Sequence, residues 1–376
     1  MSVYVCIASF PYIFVNFGSV NISLFDVLLS TLVPITLWSG IKIISKKFYI
    51  LSTCVIVLST LPLLSYAEDI EYVWGTLQMA YILLVMYPLI TSIINEKRYG
   101  ISLRVACIVW GLFLIFNTEK INDPRYYEAA GRFTGLYNTP LTMGLTTAIM
   151  FPILLSFTIS TKSAMLKLLF CLSMSLSIVC MYASGSRAAI TGLAIGLIFY
   201  FLAKGKYDEM FVVICFSIIG LICASYYVSP GTGRVRNLYN RFYSEPIIKD
   251  LYRILPSSAV GVETLLFGTG IGNSSFYTGD VRPHNFFIAM AVEVGITGML
   301  FMVWIVYISV GRGLIYALFK NYCFDRNNDL KIAVLSSGVV FLTALLVSSV
   351  PLHRGYWFIL SICLWIKNTN KHICNK

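Results

Sequence analysis

The chain has 376 residues, of which 58% are hydrophobic and only 12% charged, and its mean hydropathy is +0.79. Soluble domains carry about 25% charged residues, so too few charges are present here to clothe a water-soluble core. Apolar runs recur along the whole length, and residues 1–376 read as one all-α, polytopic membrane domain. The net charge of +11 is read as membrane topology and not as nucleic-acid binding.

In chain order, Val3–Phe17 reads as a first, short span, with a re-entrant segment as the alternative. No Lys or Arg precedes Lys42, so the basic n-region of a secretory signal is missing. Further spans are predicted at Ile22–Ile44, Tyr49–Tyr66, Tyr72–Ile94, Ile101–Asn117, Leu141–Ser160, Met165–Ala183 and Ala188–Ala203. Glu209–Val228, Asn285–Val310, Ile332–Val350 and Tyr356–Ile366 complete a set of about 12. No soluble linker domain, low-complexity tract or internal repeat interrupts them. The longest connection, 229–284, joins the ninth and tenth spans. In it Ile247, Ile248, Leu251, Ile254 and Leu255 fall on one helical face and Lys249, Asp250 and Arg253 on the other, as in a short helix lying on a membrane surface.

The basic residues orient the spans. Lys42, Lys46, Lys47, Lys97, Arg98, Arg104, Lys162, Lys167, Lys204 and Lys206 fall on one side. Arg312, Lys320, Arg326, Lys331, Lys367, Lys371 and Lys376 join them. By the positive-inside rule that side is cytoplasmic. The other side carries Lys120, Arg125, Arg132, Arg187, Arg234, Arg236, Arg241, Lys249, Arg253, Arg282 and Arg354. Nine of those eleven are Arg. Topology needs only charge, whereas a planar guanidinium is favoured where phosphate or carboxylate is gripped by two parallel hydrogen bonds. The outer face therefore reads as built to hold an anion. The alternative is loop salt bridges with Glu119, Asp123, Glu128, Glu245 and Asp250.

Cys6, Cys54, Cys107, Cys171, Cys180, Cys215, Cys223 and Cys363 fall in spans, and Cys323 and Cys374 on the cytoplasmic side. None lies in an outer loop, which speaks against a disulfide framework. No Cys/His spacing points to zinc, and no outer Asp-x-Asp pair accompanies the arginines.

Three outer stretches carry candidate chemistry. In VRPHNFFIAMAVEVG, Val281–Gly295, Pro283 suits a helix start and places His284 and Asn285 at the mouth of the next span, with Arg282 beside them. His284 is either a general base or a hydrogen-bonded interfacial histidine. In YASGSRAAITG, Tyr182–Gly192, a tight Ser184–Gly185–Ser186 break leaves Arg187 opening a helix. A helix N-terminus beside a guanidinium makes a phosphate seat; the alternative is an arginine snorkelling at a helix end. In GRFTGLYNTP, Gly131–Pro140, aromatics surround Arg132, suiting either sugar or isoprenoid binding or an interfacial aromatic belt. GTGIGN, Gly268–Asn273, lacks the context of a dinucleotide site and is read only as a turn-rich segment.

Taken along the chain, an Arg after a Ser/Gly turn, a long outer loop with an Arg, and then His-Asn, nine residues and Gly resemble the bacterial O-antigen polymerase and O-antigen ligase family of lipid-linked glycan transferases. His284-Asn285, nine residues and Gly295 match the family's His-Asn motif, and YASGSRAA matches the stretch of its first functional Arg, at Arg187. LYRILPSSAVGVETLLFGTG resembles the stretch of its second, at Arg253, and GRFTGLYNTP resembles the Arg-Phe-x-Gly-Leu stretch of the polymerases. The resemblance covers roughly Gly131–Gly298. It implies a class C glycosyltransferase-like fold in the bacterial inner membrane, with its long loop and active face periplasmic. The implied donor is an undecaprenyl-pyrophosphate-linked oligosaccharide, transferred to a glycan acceptor. A chain-length regulator protein stands as a further partner, which the sequence does not name.

Such a donor carries a good leaving group. The chemistry then needs a cation for the departing pyrophosphate and a base for the acceptor hydroxyl. The expected roles are Arg187 and Arg253 on pyrophosphate, Arg282 assisting, His284 as base, and Arg132 and Asn285 on substrate, with no metal and no cofactor. Polymerase is favoured from GRFTGLYNTP. The alternatives are a ligase acting on lipid A–core and, in a different class, a glycolipid transporter or flippase. A transporter would call for charged or broken helices at the membrane midplane, where Glu293 is the intramembrane acid.

Overall fold

The structure is a computed structural model that describes residues 14–17, 20–23, 46–60, 70–93, 99–127, 132–137, 139–206, 208, 211, 266–271, 285–319, 329–347 and 359–363. A two-stranded hairpin comes first, β1 (Phe14–Phe17) against β2 (Val20–Ser23), antiparallel with Phe17 opposite Val20. This corrects the expected helical spans Val3–Phe17 and Ile22–Ile44 at Phe14–Phe17 and at Ile22 and Ser23; the rest of both spans lies outside the described residues. The physical reason is in the sequence: Phe-Val-Asn-Phe and Val-Asn-Ile-Ser flank Gly18-Ser19, and a two-residue Gly-x connection selects a hairpin.

Helices follow: α1 (Lys46–Thr60) and α2 (Ile70–Ala80), the latter running through a π turn, Tyr81–Met86, into α3 (Tyr87–Ile93). Next come α4 (Tyr99–Glu119), α5 (Pro140–Ser160), α6 (Ala164–Ser184) and α7 (Arg187–Lys204). After them lie α8 (Phe286–Val306), a π turn at Tyr307–Gly311, α9 (Arg312–Phe319) and α10 (Asp329–Val347); residues 359–363 are also helical. Among the described residues, six helices are long and apolar enough to cross a membrane, as an integral multi-pass protein requires. They account for the expected spans from Ile101–Asn117 to Ala188–Ala203, and for Asn285–Val310 and Ile332–Val350. Glu209–Val228 lies almost wholly outside the described residues.

α5 is the central helix, 89% of its apolar window buried, whereas α6 lies on the outside at 28%. Met165, Leu168, Leu172 and Val179 of α6 are exposed. In water such a stripe would drive association; in a bilayer it faces acyl chains. α10 packs between α5 and α7 through small residues. Ser336 Oγ donates to the Gly196 carbonyl at 2.5 Å and Ser337 Oγ to that of Ile149 at 2.6 Å. A Cβ at Gly192 would stand 3.0 Å from the Val340 carbonyl oxygen. Small residues spaced by four let backbones approach where no hydrophobic gain between helices is available. The two π turns are linked as well: Tyr87 Oη, following the first, donates to Ser309 Oγ in the second at 2.5 Å.

These contacts fix which helix ends lie together. α7 and α10 run antiparallel, since Lys204 at the end of α7 pairs with Asp329 at the start of α10. The end of α4, the starts of α5, α7 and α8, and the end of α10 therefore share one end of the bundle.

Candidate functional site

That shared end is organised around one turn. α6 stops at Ser184, Gly185 takes a left-handed conformation (φ 60°), and Ser186 caps α7, its Oγ accepting from Ala189 N at 3.3 Å. Glycine is the residue that reverses a chain here without Cβ strain. Ser184 and Ser186 are buried, held against the second turn of α5: a Cβ at Gly144 would stand 2.7 Å from both Ser184 Oγ and Ser186 Cβ. Arg187, half-buried, is the first residue of α7 and so leaves this turn at a helix N-terminus.

The stretch around Arg132 meets the same turn. Phe133 pairs with Tyr127 in an isolated antiparallel bridge, and its N–H donates to the Ala183 carbonyl at 3.1 Å. One residue earlier, Arg132 Nε donates to the Ser184 carbonyl at 3.1 Å. Two motifs 52 residues apart are thereby joined, each contributing an arginine. The stretch is braced from α4, where Asn117 Oδ1 accepts from Leu136 N at 2.9 Å. Its aromatics point inward: Phe133 is fully buried with its ring 5.4 Å from that of Tyr127, and Tyr137 packs edge-on against Phe113 at 5.6 Å. They are core residues, neither a sugar platform nor an interfacial belt.

Asn285 has a structural occupation at this end. Its Oδ1 accepts from Phe287 N at 2.9 Å and Ile288 N at 3.1 Å, capping α8, while Nδ2 donates to the Leu346 carbonyl near the end of α10 at 2.9 Å. The cap satisfies N–H groups the helix cannot satisfy itself. Arg125 is also engaged: its guanidinium donates to both carboxylate oxygens of Asp123, at 2.7 Å and 3.1 Å. With the backbone N–H of Arg125 adding a third partner, the Asp123 carboxyl is pulled down to about 2. The salt-bridge reading of the outer arginines thus holds for Arg125.

Of the sequence-predicted site residues, Arg132 and Arg187 meet at one turn, and Asn285 stands at the same bundle end. His284, Arg253 and Arg282 lie outside the described residues, as does the surface helix around Arg253. Among the described residues no group of three or more His, Cys, Asp or Glu side chains gathers in a way that could hold a metal ion.

One feature was missed from sequence. α8 is broken at Gly295 (φ 78°, ψ 167°), and the segment Leu266–Ile271 lies in the break. Thr269 N donates to the Val292 carbonyl and Gly270 N to that of Glu293, both at 2.9 Å. The signal lay in the dense glycines of GTGIG and in a glycine, Gly295, inside an otherwise unbroken apolar helix. Compared with known protein families and with curated proteins, the chain matches no family model and no curated sequence.

Proposed function

We propose that the chain is an O-antigen (surface polysaccharide) polymerase of the bacterial inner membrane. In this reading it transfers the glycan of an undecaprenyl-pyrophosphate donor onto a lipid-linked repeat unit at the periplasmic face. The observation that supports it most is that Arg132 bonds to the same turn from which Arg187 leaves. Arg132 Nε donates to the Ser184 carbonyl, which orients the guanidinium toward the turn, and Arg187 starts a helix whose dipole adds positive potential. Both suit a pyrophosphate, whose charge grows as the glycosidic bond breaks.

The step balances without a metal. The acceptor hydroxyl oxygen forms a bond to the anomeric carbon, and the bond from that carbon to the pyrophosphate oxygen breaks. Undecaprenyl pyrophosphate leaves with the electron pair onto Arg187, Arg132 and Arg253, with Arg282 assisting. The hydroxyl proton passes to the His284 imidazole, a group suited to take it near neutral pH.

A second reading has one observation in its favour. A broken helix beside a fully buried acid, Glu293, is a feature of transporters. Here the carbonyls at the break are taken by Thr269 and Gly270 of the same chain, which leaves less for a cargo to bind. The glycans of a deletion strain separate the readings. Lipid A–core bearing a single repeat unit is expected for a polymerase. Bare core with long lipid-linked polymer accumulating would instead mean ligase, and bare core with unpolymerised lipid-linked units held at the cytoplasmic face would mean transporter.

A further inference from the structure

We propose that Leu266–Ile271 is a membrane-embedded anchor, with Leu266 and Phe267 against lipid acyl chains, that positions the half-helix Phe286–Val294 at the arginine end of the bundle. Val292 and Glu293 lie seven and eight residues into the helix from its cap Asn285, so the contact sits about 11–12 Å below the helix mouth. In an unbroken helix their carbonyls would accept from residues 296 and 297. The Gly295 turn interrupts that ladder, and Thr269 N, Thr269 Oγ1 (3.1 Å) and Gly270 N supply donors from another part of the chain. Irregular backbone at membrane depth is tolerated only where protein satisfies and buries it. Thr269 and Ile271 are buried, whereas Leu266 and Phe267 are 51% and 57% exposed. Two large apolar side chains exposed at that depth match hydrocarbon and not water.

The fit depends on two glycines. A Cβ at Gly268 (φ 79°) would stand 2.5 Å from the Glu293 carbonyl oxygen and 2.7 Å from Gly295 N; one at Gly295 would run into the Leu266 carbonyl oxygen. The far side of the segment is equally close, since a Cβ at Gly75 of α2 would stand 2.7 Å from the Ile271 carbonyl oxygen. The half-helix is therefore held twice, by Asn285 on α10 at its mouth and by this interlock at its foot. The residue that precedes its cap is His284. Gly268, Thr269 and Gly295 are positioning residues for that end of the reaction. This second half of the proposal rests on the transfer reading above; the embedding half does not.

Two measurements test it. Spin labels are placed on single cysteines at positions 266 and 267, in a Cys-free background in lipid nanodiscs, with lipid-facing Leu172 and exposed Arg125 as control positions. Oxygen should relax both labels more than a water-soluble nickel chelate does, as at position 172; chelate-dominated relaxation, as at position 125, overturns the embedding. Steady-state kinetics with purified protein and lipid-linked donor test the positioning. Misplacement of reacting groups by about 1 Å can cost up to about 100-fold, so Gly295→Ala should lower kcat by about 10-fold or more with KM within about 2-fold. Thr269→Val, which keeps the backbone bonds, should lower kcat a few-fold and decides the matter if Gly295→Ala fails to accumulate. Wild-type kcat for Thr269→Val, or loss matched by loss of folded protein, overturns the positioning. If the wild-type protein transfers no glycan, the transfer reading and the positioning fall together, and the labels still decide the anchor.

Discussion

The two ends of the helix bundle both carry cations, and the lysine that closes one end is held differently from the arginines at the Ser184–Ser186 turn of the other. At the end where α7 finishes, Lys204 is nearly buried, its Nζ 3.0 Å from the Asp329 carboxylate and stacked over the Tyr200 ring at 5.2 Å. Base at the end of one helix and acid at the start of the next also suit both helix dipoles. Arg104 at the same end lies over the Phe157 ring. At the opposite end, Arg132 is bonded to a backbone carbonyl and Arg187 begins a helix. A lysine closed on a carboxylate has its charge matched inside the protein. The comparison sets a cation that fastens two helix ends through a carboxylate against one that ties a loop to a turn through a backbone carbonyl.

The sharpest way to break the comparison is at Arg187. Arg187→Ala should abolish chain formation and weaken donor retention, and Arg187→Lys should stay impaired by about 10-fold or more, because a point charge lacks the bidentate fork. His284→Ala should slow turnover by about 100-fold with donor binding nearly intact, as loss of a general base does. Complementation at matched expression, with a binding measurement on the lipid-linked donor, reads both. A fully active Arg187→Lys would show that charge alone suffices and would remove the distinction between the two ends.

Arg132→Lys should cost less than the loss of Arg187, about 5–10-fold in turnover, since it removes the Nε bond to Ser184 that orients the group but keeps a cation. The same assays apply; an unchanged rate would reassign Arg132 to holding the turn. At the other end Asp329→Asn should leave turnover per folded molecule unchanged and lower stability by about 1–3 kcal/mol, the cost of stranding a buried charge whose partner is partly exposed. Thermal melting in detergent checks this. A turnover defect without a melting shift would mean that the lysine end takes part in the chemistry.

The smallest effect is expected at Asp123, whose fork with Arg125 lies on the exposed surface. Its carboxyl titrates at about 2, below its ordinary value of 3.8, chiefly through the Arg125 side chain. The contribution is therefore complete above the ordinary value and is lost as pH falls from there through about 2. Between pH 5 and 8 Asp123→Asn should change neither activity nor its pH profile by more than about 2-fold. A larger change would place Arg125 back among the anion-binding arginines.

Much of this was legible in the residues. Six long spans were readable from their apolar runs, and the start of α7 from the Ser184–Ser186 break ahead of Arg187, because burial in lipid is a local requirement of sequence. The excess of Arg on one face was likewise a matter of counting. The hairpin Phe14–Ser23 could have been read from Gly18-Ser19, but its apolar composition resembled a span. Other facts depended on contacts between distant parts of the chain. That Phe133 and Tyr137 face the core, that Arg132 reaches the Ser184 carbonyl, and that Leu266–Ile271 fills the break at Gly295 each required two segments to meet. Sequence sets what each segment must bury and cap. Which carbonyl a donor finds 23 or 52 residues away is decided only when the helices pack, because a buried polar group takes the partner that the packed neighbours place within reach.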